Sequence, residues 1–109
     1  MIKDTLQKIE ETVRSAPQAT PETKQQILSL LRELGTELEA LERTHGTHAR
    51  TIAGKAELAA VEAARGRSEP PGPPARADLA SSVTEFEASH PKLAGLVRSI
   101  ADALANVGI

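Results

Sequence analysis

The chain contains no cysteine, tryptophan or tyrosine, and a single phenylalanine, Phe86, among 109 residues. The missing sulfur excludes disulfides, thiolate nucleophiles and thiolate-ligated zinc. One aromatic ring cannot build a base-stacking platform, and 13 basic against 15 acidic residues leave no positive surplus for a phosphate backbone, so no nucleic acid is expected as a partner. No apolar run is long enough to span a bilayer, and no basic face lies opposite an apolar stripe, so no membrane is expected either. A Gly-x-Ser-x-Gly elbow, a phosphate-cradling glycine loop and a strand to carry either are missing, which removes the usual hydrolase and nucleotide-binding signatures. The N-terminus opens directly into an amphipathic pattern instead of a basic segment followed by an apolar one, so a cytoplasmic location is expected.

Hydrophobic residues at helical spacing fill the chain. Ile2, Leu6, Ile9 and Val13 make one stripe, which Pro17 ends because proline has no amide hydrogen to continue the ladder. Thr20-Pro21-Glu22 then combines an N-cap, a proline at the first helical position and a carboxylate at the positive end of the helix dipole. A second stripe follows, Ile27, Leu31, Leu34, Leu38 and Leu41, continuing in register into His45, His48 and Ile52. Its flanking Glu37 and Glu42 would repel in a parallel self-pair, so the stripe is expected to meet antiparallel helices. The short connection gives an N-terminal antiparallel hairpin over residues 1–43.

Residues 44–67 read as an alanine-rich helix with Gly46 and Gly54 inside it, and a break or kink near Gly46 decides whether His45 and His48 stay on the stripe. The run Ser68-Glu69-Pro70-Pro71-Gly72-Pro73-Pro74 reads as an extended linker, assigned to residues 68–77. Residues 78–109 carry Leu79, Val83 and Phe86 on a helix capped at Asp78 or at Ser82, a break at His90-Pro91, and a final helix with a wide apolar face around Leu93, Val97, Ile100, Leu104 and Val107. Gly108 and Ile109 suit a Schellman ending. The fold class is all-α: a small helical bundle forming one domain.

The stretch from Phe86-Glu-Ala-Ser-His-Pro-Lys-Leu93 through Ile100-Ala-Asp-Ala-Leu104 to Val107-Gly-Ile109 resembles an uncharacterised family of small bacterial proteins, domain of unknown function 4404. The resemblance covers the C-terminal segment; the N-terminal hairpin is similar in kind, and residues 44–77 look like a variable insertion. It implies a compact all-helical protein and brings no activity, cofactor or partner.

No catalytic residue and no cofactor are therefore expected, and the chain reads as a non-enzymatic module that associates with itself or with a helical protein partner. Leu34, Leu38, Leu41, Val97, Ile100 and Leu104 are the candidate packing and contact residues. The alternative is a metal-binding helical protein. Glu42-Arg43-Thr44-His45 and Glu87-Ala88-Ser89-His90 have the Glu-x-x-His spacing that puts carboxylate and imidazole on one helical face, and His48 lies one turn from His45.

Overall fold

The computed structural model describes residues 2–17, 19–65 and 75–107. Among them stand four α-helices and one 3-10 turn, with no strand: α1 (Ile2–Ser15), α2 (Pro21–Arg65), α3 (Ala75–Ser81), the turn Thr84–Phe86, and α4 (Pro91–Val107). The expected all-α bundle is what forms. The proline run 68–74 and the Gly108-Ile109 ending lie outside the described residues.

The hairpin is built as its signals require. The Thr20 side-chain oxygen accepts the amide of Thr23 at 3.1 Å, which is the N3 donor left orphaned at the start of α2. Lys24 Nζ donates to the carbonyl of Arg14 at 2.8 Å, so the start of α2 sits against the last turn of α1. Further along, a Cβ on Gly35 would lie 3.1 Å from Leu6 Cδ1, showing how closely the two helices approach. The helices are thus antiparallel, with Ile2, Ile9 and Val13 buried against Ile27, Leu31, Leu34 and Leu38.

The kink weighed near Gly46 is present: α2 runs from Pro21 to Arg65 with non-helical torsions at His45 (φ −137°, ψ 60°), so residues 44–65 continue it as a second arm. The break therefore falls one residue before Gly46. Thr44, His45, Gly46, Thr47 and His48 are all weak helix formers, so the ladder fails where its summed propensity is poorest. The linker assigned to 68–77 ends early, because α3 already begins at Ala75. Neither Asp78 nor Ser82 caps it: the Ala75 amide is met instead by Glu62 Oε1 of α2 at 3.0 Å, and the turn that follows has no side-chain cap.

The kink gives α2 two arms with different neighbours. α1 lies along the first arm, while Lys55–Asp78 at 2.7 Å and Glu62–Ala75 at 3.0 Å tie α3 antiparallel to the second. Arm two turns inward Ala49, Ile52, Ala53, Ala56, Ala59, Ala60 and Ala63, mostly small residues that let a neighbouring helix come close. α4 starts at Pro91, as the His90-Pro91 signal requires, and buries Leu93, Ala94, Leu96, Val97, Ile100, Ala101, Ala103, Leu104 and Val107 against α2 and α3. No buried residue among those described is polar or charged.

A Leu34→Ala substitution removes a fully buried side chain, so urea denaturation should give a stability loss of about 3 kcal/mol. Leu58→Ala, at a position 63% exposed, should change it by less than about 0.5 kcal/mol. Equal losses at the two positions would contradict the packing described.

Candidate functional site

All three histidines of the chain gather around its one phenylalanine. The kink at His45 ends the first arm and swings the imidazoles of His45 and His48 off the buried stripe, leaving both exposed. From the other side, the 3-10 turn presents Phe86, whose ring is buried. Its centroid lies 5.6 Å from that of His45, 5.2 Å from His48 and 6.0 Å from His90, the first two edge-on. His45 and His48 are 6.1 Å apart, whereas His90 meets no ring but Phe86 among those described. Thr44 Oγ1 lies 2.9 Å from His45 Nδ1 and steadies that ring, and His48 Nε2 stands 3.6 Å from Glu85. The imidazoles thus cover an apolar residue at the elbow.

This arrangement does not assemble the metal-ligating set read from the sequence. The carboxylates of the two Glu-x-x-His pairs are held elsewhere: Glu42 faces Arg50 at 3.8 Å, and Glu87 accepts two hydrogen bonds from Arg98 at 2.6 and 3.0 Å. Phe86 is the common neighbour of His90 and of the other two imidazoles. Among the described residues no group of three or more His, Cys, Asp or Glu is placed to hold a metal ion. The Arg98 hydrogen bonds, reinforced by its charge, hold the Glu87 carboxyl below its ordinary range and raise the guanidinium.

The six candidate packing and contact residues, Leu34, Leu38, Leu41, Val97, Ile100 and Leu104, all lie within the core of a single chain, exposed by 2% or less, where they hold the bundle together. Sequence reasoning missed Leu58, the one large hydrophobic side chain exposed among the described residues, at 63%. It stands on the second arm of α2, on the face opposite the buried alanines, in line with Thr47, Thr51 and Gly54. The signal was present as a second four-three-four spacing, masked because its other members are threonine and glycine.

A surface groove of about 220 Å³ runs between α1 and the first arm, floored by Leu6, Leu31 and Gly35 and rimmed by Lys3, Glu10 and Glu39. No described helix is long and apolar enough to cross a membrane.

One family model, described as a domain of unknown function (DUF4404), matches residues 2–109, and so runs through the segment that reads as an insertion. No curated protein and no solved structure matches.

Phe86→Ala should cost about 3 kcal/mol in urea denaturation, and the ring protons of His45, His48 and His90 should all shift in one NMR spectrum as the ring current is lost. A shift of only one imidazole would contradict the shared contact. The depressed Glu87 carboxyl adds stability above its unfolded pKa, and that stability is lost as pH falls through the folded value. An NMR titration should therefore place Glu87 below the ordinary value of a glutamate, with Arg98→Met moving it back up.

Proposed function

For this chain, which belongs to the DUF4404 family, we propose a non-enzymatic, self-associating interaction module whose bundle is the scaffold and whose contact surface is the outer side of the second arm of α2. The observation that carries the reading is the exposure of Leu58, 63%, when every other large hydrophobic side chain among the described residues is buried or, as at Leu6, Leu28, Leu30 and Val61, half-buried. A second molecule covering this leucine together with the small residues aligned with it would remove apolar surface from water.

Two further features favour contact over catalysis. A reaction centre desolvates its acid or base and thereby shifts its pKa, but here the buried set among the described residues is wholly apolar and the Glu87 and Arg98 shifts belong to an exposed ion pair. The imidazoles at the elbow pack as ring faces and edges against Phe86, a structural use of histidine. The same proposal takes over the expected cytoplasmic location and, from the sequence resemblance alone, a bacterial origin, with a second copy as the first partner.

Sedimentation equilibrium tests the reading. Between about 10 µM and about 1 mM, where small interfaces of this kind assemble, the weight-average mass should rise above that of one chain. A mass that stays at the single-chain value throughout rules self-association out.

A further inference from the structure

We propose that the second arm of α2 pairs antiparallel with the same arm of a second copy, seating Leu58 on Thr47 of the second copy and Gly54 on its Thr51. The proposal rests on the self-association just described and names the surface and geometry that perform it.

Thr47, Thr51, Gly54 and Leu58 follow four-three-four spacing, so they line one side of the arm. Ala49, Ala53, Ala56, Ala60 and Ala63 occupy the other side and are buried. The line is open: Thr47, Thr51 and Leu58 are exposed, and nothing lies within 4 Å of a Cβ built on Gly54. Small residues at its centre admit a second helix closely, and a leucine at its end supplies a knob to bury. The line is also self-complementary. Reversed against itself, it places both Leu58 side chains over Thr47 residues and both glycines over Thr51 residues, each contact occurring twice as two-fold symmetry demands.

Charge chooses the direction. Arg50 and Glu57 flank the line on one side, and Lys55 and Glu62 on the other. In a parallel pair the two different flanks meet, setting Arg50 against Lys55 and Glu57 against Glu62, like charge on like. In the antiparallel pair each flank meets its own reverse, so Arg50 of each chain meets Glu57 of the other. Arg50 would exchange its exposed contact with Glu42, 3.8 Å, for Glu57 of the second copy, and Glu57 makes no ion pair among the described residues. On the other flank Lys55 is already matched by Asp78 at 2.7 Å, and Glu62 by the Ala75 amide. The seam is short, about 16 Å of helix, which sets the expected dissociation constant at the weak end, on the order of 0.1 mM.

The experiment is sedimentation equilibrium of the full chain and its variants, with circular dichroism to verify helicity. L58E should weaken association at least tenfold with its helicity and melting temperature close to those of the parent. R50E and E57R should each weaken it several-fold, and the double variant R50E/E57R should restore it, because the pair is then reversed and not removed. G54A separates the interface from the fold: alanine raises helix propensity, so the melting temperature should rise while association falls. Since the chain has no native cysteine, mixing T47C and L58C chains reads the register, and the mixed disulfide should form ahead of either like pair. Association that persists in L58E, a double variant weaker than both single ones, or a preferred L58C–L58C disulfide overturns this surface while leaving self-association standing. A parent chain that stays monomeric overturns both.

Discussion

The interruption of the hydrogen-bond ladder at His45 is the constraint on which the rest of the bundle depends. A straight helix of the length of α2 would be far longer than the other helices and would leave one end of its apolar stripe without cover. Bending once lets a single element serve as second member of the α1 hairpin and as wall for α3 and α4. The bend also changes which side faces inward: the core is continued after Leu41 by Ala49, Ile52 and Ala53, and not by His45 and His48. The imidazoles are then free to close over Phe86, which is brought to the same elbow by the 3-10 turn.

Much of this was legible in the residues. Pro17 and the Thr20-Pro21-Glu22 cap fixed the hairpin, since a missing amide and an orphaned donor act locally whatever the tertiary context. Pro91 fixed the start of α4 for the same reason. Burial was legible wherever apolar spacing was regular, and even Phe86, which sits on a 3-10 turn where the spacing suggested continuous helix, is buried as its place in the pattern implied. The kink was legible only as a region of weak propensity. That its elbow would be covered by Phe86, about forty residues further along, is a contact that no local rule carries.

The candidate site was read less well, for a physical reason. A stripe says that residues are covered, not what covers them, so Leu34 and Val97 looked the same whether they met their own chain or another. Likewise Glu-x-x-His spacing places two ligands on one face of a regular helix, and neither pair here lies on one: the first ends at the kinked residue, and the second lies between a 3-10 turn and the residue before a proline. Arg98 then takes Glu87 out of reach of any imidazole. What distinguishes the surface is a single leucine whose neighbours are too small and too polar to mark it as part of a seam.

The antiparallel ties along the chain have a kinetic meaning. Arg14 to Lys24, Glu62 to Ala75 and Glu87 to Arg98 each join segments close in sequence, so each closes a short loop at low entropic cost. The hairpin of α1 with the first arm and the pairing of the second arm with α3 are two local units sharing one helix. Contacts this local are of the kind that places helical bundles at the rapid end of folding rates for small domains.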